Sequence, residues 1–254
     1  MKLRLHASGA TQHVFEPINE DLATWLFKTP AFLDALLPGD AVKARTEEWP
    51  AVLRTLGRRP PASPLLRTWL RRARRRSFRR MGRILAELDA AGVGDVVAPF
   101  RWIPRASVLL DVGTRTLRYR GPLLQQRRAD HFHEDARDLP RFDTASFITA
   151  QQRLWRAGFG ITDAACALGP DGWATINGRT VLADTGSLTR DRDQARAVLA
   201  DRFRESARRR HLRRADGGIV AEFHGRIYDE ISEESLARAW GTGPQKRLQH
   251  PALA

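Results

Sequence analysis

The longest helical pattern of the chain stands between two groups of strand-like segments, and this order limits the folds open to it. Apolar residues recur at helical spacing over residues 65–91, and Gly92 suits the end of a helix there. Before this helix, alternation and turn signals predict three short strands over residues 1–28. The order lacks the βαβ alternation of a parallel sheet and therefore predicts an α+β fold. After the helix, strand signals return at residues 96–100, 107–112 and 116–119, and Gly121-Pro122 reads as a turn.

Helical patterns dominate the second half of the chain. Residues 142–157 predict one helix, and residues 191–214 predict another that is strongly basic. Asn177-Gly178 is a strong signal for a two-residue hairpin turn between strand-like residues 173–176 and 179–184. Weaker patterns predict two short helices over residues 31–59, a loop or poorly packed helix over residues 127–141, and a strand over residues 164–168.

The charge of the chain is strongly positive. Its 43 Lys and Arg outnumber 29 Asp and Glu, which gives a formal net charge of +14, and only four of the 43 are Lys. A basic protein can bind nucleic acid, anionic lipid or phosphorylated ligands. The scarcity of Lys favours another explanation, a general use of Arg as the solvated residue. The arginines of residues 71–80 therefore form either a solvated helix face or an anion-binding face, with Phe78, Met81 and Leu85 turned inward.

Three sequence features exclude whole classes of protein. The single cysteine, Cys166, excludes an internal disulfide framework and a Cys-rich zinc module. No apolar run reaches the roughly 18 residues of a membrane-spanning helix. Residues 1–6 lack the apolar stretch of a secretory signal. We therefore expect a cytoplasmic protein without a transmembrane segment.

The first candidate site is a glycine turn between the first two strands. Gly9, Ala10 and Thr11 form this turn, and the backbone N–H groups of a glycine turn can approach an anion. Lys28 ends the third strand, from which its ammonium group can point at the same anion. An ordinary hairpin with a surface lysine is the alternative, because one glycine does not make a Gly-rich loop.

The second candidate site is a pair of aspartates on either side of the predicted hairpin. Asp163 follows a glycine-rich break after a helix, and Asp184 ends an apolar strand and precedes Thr185-Gly186. A carboxylate at a strand end before a glycine is well placed to hold a metal ion. A second carboxylate across the hairpin can orient or deprotonate a hydroxyl group. The alternative is that both aspartates only cap turns.

Taken in order, these features resemble the protein-kinase-like superfamily, and within it small bacterial proteins of about this length. Asp184-Thr185-Gly186 is similar to the family's Asp-Phe-Gly motif, and Lys28 to the lysine of its Val-Ala-Ile-Lys strand. Asp163 stands where the aspartate of the catalytic loop would lie. The resemblance covers residues 5–241, and its strength lies in order and spacing.

The resemblance implies a two-lobed kinase-like fold and an ATP-dependent phosphotransferase. A small antiparallel-sheet N-lobe would span residues 1–112, a linker residues 113–120, and a mainly helical C-lobe residues 121–254. ATP phosphates would bind at Gly9–Thr11 and Lys28, Asp184 would hold Mg²⁺, and Asp163 would orient the acceptor hydroxyl. The acceptor is open between protein, sugar, glycan and antibiotic hydroxyls, and the arginine-rich helix suits an anionic one.

Two departures from the family pattern favour a pseudokinase, which binds nucleotide or a partner without turnover. Ala167-Leu168 stand where the family has an asparagine that helps to hold metal. The family's lysine pairs with a glutamate of the long helix, and Glu87, the only glutamate of residues 65–91, sits near the helix end. A third hypothesis is a basic nucleic-acid-binding protein. Against it, the arginine-rich stretches lack interleaved aromatic residues and no reader motif is present.

A pair of histidines two positions apart forms a minor candidate site. His131 and His133, with Glu134 and Asp135, have the donor groups of a metal site. Solvated histidines on a polar loop are the simpler interpretation. Cys166 lies in an apolar segment, which favours a buried structural thiol over a nucleophile.

Overall fold

The chain divides into two compact units, which are described in turn. The first comprises Met1–Gly82 and Phe100–Arg128, and the second comprises Arg83–Pro99 and Ala129–Ala254. The two helices expected over residues 31–59 lie outside the described residues. The computed structural model describes residues 1–8, 12–30, 64–112, 115–133 and 135–242, with side chains of the long helix from Arg72 onward.

A closed barrel of five strands forms the core of the first unit. Its strand order is β1-β2-β3-β5-β4, and each pair of neighbours in this order is antiparallel. β1 also pairs with β4 in parallel, with Lys2 opposite Leu109 and Arg4 opposite Asp111, and this pairing closes the sheet. The strands are β1 (Lys2–Ser8), β2 (Gln12–Pro17), β3 (Trp25–Pro30), β4 (Phe100–Val112) and β5 (Arg115–Arg127).

Closure of this sheet shows that the expected kinase-like fold is wrong. The expected N-lobe was a small antiparallel sheet, whereas the N-terminal region holds a closed barrel and the C-terminal part is helical, within an α+β molecule. The error has a physical cause, because β4 and β5 have 13 residues each and were expected as shorter separate strands. Long strands twist and coil enough to bring the first strand against the fourth. Residues 115–120, part of the expected linker, belong to β5.

Gly121-Pro122 lies inside β5 instead of forming the expected turn. Proline has no N–H group and cannot complete a strand ladder. The register of β4 against β5 shifts between Ile103 and Ala106, opposite this proline, which is the mark of a β-bulge. The Tyr119 hydroxyl donates to the Pro122 carbonyl at 2.7 Å. The bulge accommodates the proline, so one strand continues where the sequence predicted a break.

The barrel is filled by side chains that alternate along its strands. Because alternate residues of a strand face opposite sides, the burial of Phe27 in the core places Lys28 on the other face of β3. The expected three strands of residues 1–28 are confirmed. The buried core consists of Leu3, Phe15, Phe27, Val108, Leu110, Tyr119 and Leu123.

The predicted long helix is confirmed as α1 (Pro64–Ala90), and Gly92 follows it with φ +73°. Phe78, Met81 and Leu85 are buried, and the Phe78 ring packs on Trp102 with 5.2 Å between ring centres. The predicted orientation of the arginine face is confirmed for the described side chains, since Arg72, Arg75, Arg76, Arg79 and Arg80 are exposed. Among the helices that the structure describes, none combines the length and the apolar character needed to span a bilayer.

The second unit combines helices with two small sheets. Strands pair in the orders β6-β8-β9 and β10-β7, all antiparallel. The strands are β6 (His131–Phe132), β7 (Gly160–Ile161), β8 (Trp173–Ile176), β9 (Arg179–Leu182) and β10 (Leu188–Thr189). The helices are α2 (Thr144–Arg156), α3 (Ala164–Ala167), α4 (Arg192–Ala197), α5 (Asp201–Leu212), α6 (Gly217–Tyr228) and α7 (Glu233–Ala239).

Aromatic residues hold this unit together. Phe147 of α2 packs on Trp173 of β8 with 5.0 Å between ring centres, and Phe142 packs on Phe147 at 5.3 Å. The predicted hairpin is confirmed, since Asn177 and Gly178 have φ of 51° and 72°, which is the conformation of a type I′ turn. Helix α2 and strand β8 of the hairpin therefore pack against each other in the core of this unit.

Four local features of this unit differ from the sequence predictions. Residues 191–214 form two helices, α4 and α5, instead of one. Residues 164–167 form helix α3 instead of part of a strand, because the Asp163 side chain caps a helical turn. Gly94–Val96 is a 3-10 turn, and the strand expected over residues 96–100 begins only at Phe100. Helix α6 was not expected, because it opens on Gly217-Gly218, which are weak helix formers. Asp216 accepts a hydrogen bond from the Gly218 N–H at 2.8 Å and so caps that opening turn.

Candidate functional site

The loops of the two predicted site aspartates are joined by a short strand pair. β7 and β10 are antiparallel neighbours. Beyond them, the Thr162 backbone N–H and hydroxyl both donate to the Ser187 carbonyl, at 2.8 and 2.9 Å. Asp163 follows Thr162 directly, and Asp184 lies three residues before Ser187. The strand pair therefore holds the two loops side by side within the second unit.

Asp163 sits at the start of α3 and is held there by its own cap. Its Oδ1 accepts a hydrogen bond from the Ala165 N–H at 2.7 Å. The Gln151 amide of α2 donates to the Ala167 carbonyl at 2.8 Å and ties the short helix to the core. The Asp163 carboxylate is partly exposed, so it can meet a ligand from solvent.

Asp184 is fixed from both sides of its backbone. Its N–H donates to the Gly172 carbonyl at 2.8 Å, and its own carbonyl accepts from the Ser187 hydroxyl at 3.0 Å. Its Oδ1 accepts from the Gly186 N–H at 3.1 Å. Both aspartates therefore cap turns, as the alternative interpretation predicted, and each carboxylate stays partly exposed. The roles of Asp184 in metal binding and of Asp163 toward an acceptor stay predictions.

Cys166 is buried beneath the Asp163 and Asp184 loops of the second unit. Burial, and then the negative charges of Asp184, Asp163 and Asp171, raise the pKa of its thiol well above the usual value. Such a thiol stays protonated at neutral pH, which confirms the expected buried structural cysteine. A Cβ on Gly172, the neighbour of Asp171, would lie 2.5 Å from Cys166 Sγ and 3.1 Å from Asp184 Cβ, so these segments meet beside Cys166.

Asp171 is the member of this group that the sequence did not reveal. It lies in the turn before β8, and Arg210 of α5 approaches its Oδ2 at 3.5 Å. Its Oδ1 is buried, and no described residue gives that atom a hydrogen bond. Burial raises the pKa of Asp171 to about 6, Arg210 opposes the rise and Asp163 adds to it. Only the Pro170-Asp171-Gly172 sequence, typical of a turn, hinted at this position.

Replacing Asp171 by asparagine should stabilise the protein at neutral pH. The folded-state pKa lies above the unfolded value, so the folded state binds more protons and stability falls as pH rises from about 4 to above 6. A two-unit shift sets an upper limit near 3 kcal/mol, and partial exposure reduces it to about 2 kcal/mol. Urea denaturation from pH 4 to pH 8 should show Asp171→Asn more stable at pH 7 and equal to wild type near pH 4. If the stabilities of the variant and the wild type changed in parallel with pH, a destabilising buried charge on Asp171 would be contradicted.

Of the remaining predicted residues, Lys28 belongs to the first unit and Glu87 to the second. Lys28 lies on β3 opposite Val14 on one side and Leu124 on the other, and its side chain is partly buried. Gly9, Ala10 and Thr11 lie outside the described residues. Glu87, the helix glutamate considered as a partner for the lysine, accepts a hydrogen bond from Arg190 Nε at 2.9 Å. The phosphate-binding roles of Lys28 and of the glycine turn stay predictions.

Comparison of the chain with models of protein families and with curated protein sequences gave no match. The resemblance to the protein-kinase-like superfamily therefore depends on the sequence motifs alone.

Proposed function

We propose that the protein is an ATP-dependent phosphotransferase that requires Mg²⁺ and acts on a hydroxyl acceptor. The observation that carries the proposal is that hydrogen bonds from Thr162 to the Ser187 carbonyl hold the Asp163 and Asp184 loops side by side, with both aspartates partly exposed. Mg²⁺ is typically held by one or two carboxylates together with substrate phosphates.

In this proposal each aspartate has a separate task. Asp184 holds Mg²⁺, because its backbone is fixed by the Gly172 carbonyl and its carboxylate remains partly exposed. Asp163 accepts a hydrogen bond from the acceptor hydroxyl and orients it toward the phosphoryl group. MgATP would supply the phosphoryl group, and its ion would neutralise charge that develops during transfer.

Thermal unfolding with MgATP tests the proposal. Wild-type protein should be stabilised by MgATP, by about 2.7 kcal/mol when the ligand stands at 100 times its Kd. Asp184→Asn should abolish the Mg²⁺-dependent part of this shift. Glu222→Gln, which removes one exposed carboxylate from α6, is the charge-matched control and should keep the full shift. Absence of any shift in the wild type would contradict the proposal.

Turnover separates an active enzyme from a nucleotide-binding protein without catalysis. Phosphate transfer from labelled ATP to protein, sugar and antibiotic acceptors should be lost in Asp163→Asn, while that variant keeps the MgATP-dependent stabilisation. Stabilisation without transfer in the wild type would favour the pseudokinase alternative. Nucleic acid that copurifies with the protein, seen in the ratio of absorbance at 260 and 280 nm, would favour the nucleic-acid-binding alternative.

A further inference from the structure

A second cluster of polar side chains lies in the second unit, on residues that the proposed phosphotransferase does not use. One nitrogen of His131, one nitrogen of His133 and one oxygen of Asp138 lie within 4.8 Å of one another. His131 lies in β6, His133 directly follows this strand, and Asp138 lies in the 3-10 helix Ala136–Arg141. Their donor set, two imidazoles and one carboxylate, is one that transition-metal sites in proteins use.

The strand geometry brings the two imidazoles to the same side. β6 pairs with β8, and the ladder continues through a hydrogen bond from the His133 N–H to the Trp173 carbonyl at 3.0 Å. Residues two apart on an extended chain face the same side, so both rings point in one direction. Their ring centres are 4.8 Å apart with planes at 75°. In this arrangement one ring nitrogen of each histidine lies within 4.8 Å of a ring nitrogen of the other.

Asp138 is turned toward these rings by its own capping role. It is the third residue of the 3-10 helix, and its Oδ2 accepts from the Asp135 N–H at 3.5 Å. Its Oδ1 faces His131 Nε2 at 3.0 Å. Asp135, which the sequence suggested as a ligand, is instead bound by Arg137 and by Arg214 at 2.9 and 2.7 Å. The carboxylate of the cluster is therefore Asp138 and not Asp135.

The surroundings of the His133 ring give the clearest indication that a ligand belongs at this cluster. Its residue is 1% exposed, and its Nε2 lies 3.1 Å from the Thr175 hydroxyl oxygen. Its Nδ1 is buried, and the described residues offer that atom no hydrogen-bond partner. A buried polar atom without a partner calls for an explanation such as an ion. The contact with Thr175 fixes the ring as the partners of metal-bound histidines do, leaving Nδ1 to act as a ligand atom.

We propose that His131, His133 and Asp138 bind one divalent transition-metal ion, with Zn²⁺ as the ion best suited. Zn²⁺ takes histidine nitrogens and carboxylate oxygens at about 2.0–2.2 Å, so tetrahedral ligand atoms stand roughly 3.3 Å apart. The present separations of up to 4.8 Å need a modest rotation of His131, which is partly exposed and has room to move. Three protein ligands leave a fourth position for water or another small ligand. Mg²⁺ is disfavoured, because it prefers oxygen ligands throughout.

Zinc titration tests this site directly. Protein freed of metal with EDTA and returned to chelator-free buffer should bind one Zn²⁺ per chain in competition with a chromophoric chelator. His131→Ala and Asp138→Asn should each weaken that binding at least about tenfold. His6→Ala is the matched control, because His6 is similarly exposed and also lies beside a carboxylate, with Nδ1 3.7 Å from Glu16 Oε2. Zinc affinity should be unchanged in this control.

Cobalt gives a second readout that does not depend on affinity alone. Co²⁺ added to the metal-free protein should produce visible absorption bands of a four-coordinate site, and these bands should be lost in His131→Ala. Thermal unfolding in EDTA should show that His131→Ala and Asp138→Asn remain folded, since His131 is partly exposed and asparagine retains a capping oxygen. Failure of the wild type to bind Zn²⁺, or binding that both substitutions leave unchanged, would overturn the proposal and leave His131–Asp138 as a simple ion pair.

Discussion

Lowering the pH from 7 to 4.5 should reduce the free energy of unfolding by on the order of 3 kcal/mol, through the pair His211 and His224. His211 Nδ1 and His224 Nε2 are 3.0 Å apart, and His211 Nε2 is buried without a described hydrogen-bond partner. Burial lowers the pKa of His211 to about 3 and that of His224 to about 4. The pair is therefore neutral in the folded protein over the whole of this range.

The direction of this change in stability follows from the number of protons that each state binds. Both folded-state pKa values lie below the ordinary value of 6.5, so the unfolded chain binds more protons and stability is lost as pH falls through 6.5 toward 4. At pH 4.5 each histidine can lower the free energy of unfolding by at most about 2.7 kcal/mol, and partial solvent access reduces the sum of the two losses. Arg210 disfavours the charge on His211 while Asp135 favours it, and Glu205 opposes Arg208 and Arg204 at His224.

Urea denaturation between pH 4.5 and pH 8 checks this result. His224→Gln removes one titrating group and keeps an acceptor for the His211 ring, so it should remove about half of the acid loss. His6→Gln, an exposed histidine of the first unit, is the control. Equal acid sensitivity in His224→Gln and wild type would show that the pair does not set the pH dependence.

Gly172→Ala should destabilise the protein by about 2–4 kcal/mol and impair the candidate site. Gly172 has φ +80°, and a Cβ at this position would lie 2.5 Å from Cys166 Sγ and 3.1 Å from Asp184 Cβ. The left-handed conformation costs roughly 1 kcal/mol for alanine, and overpacking adds about 1–3 kcal/mol. Because the Gly172 carbonyl also binds the Asp184 N–H, relief of the clash must displace Asp184.

Gly178→Ala is the matched control for this experiment. Gly178 has a similar φ of +72°, and no described atom lies within 4 Å of its added Cβ. It should cost only about 1 kcal/mol, for the backbone conformation alone. Denaturant unfolding of both variants separates strain from packing, and MgATP stabilisation should be lost only in Gly172→Ala. Equal losses of stability in the two variants would mean that Gly172 is not closely packed against Asp184.

Sequence patterns succeeded where structure is decided locally. The Asn177-Gly178 turn needs only its own two residues, and α1 needs only a repeating apolar face, so both were predicted. Barrel closure depends on pairing residues 2–4 with residues 109–111, and no local pattern encodes that contact. The Pro122 position failed for the same reason, because its effect depends on a bulge in the opposite strand.

The same difference between local and long-range signals explains which candidate site residues the sequence revealed. Asp163 and Asp184 were found because a strand end and a glycine break mark them in the sequence. Asp171 was missed because its unusual property, a raised pKa, arises from burial by distant segments. Asp138 was missed because residues 127–141 looked like a loop, whereas Ala136–Arg141 forms a capped 3-10 helix that turns Asp138 toward His131.

The parallel pairing of β1 with β4 sets an order on folding during synthesis. Residues 2–8 are made more than 100 residues before their closing partner at residues 109–111. Until then, of its two partner strands β1 has β2 alone, and its other edge keeps unpaired backbone groups. Pairing across so long a stretch of chain is slow, and an open strand edge invites association with other chains. The newly made chain thus has its greatest need of chaperone protection before β4 is complete.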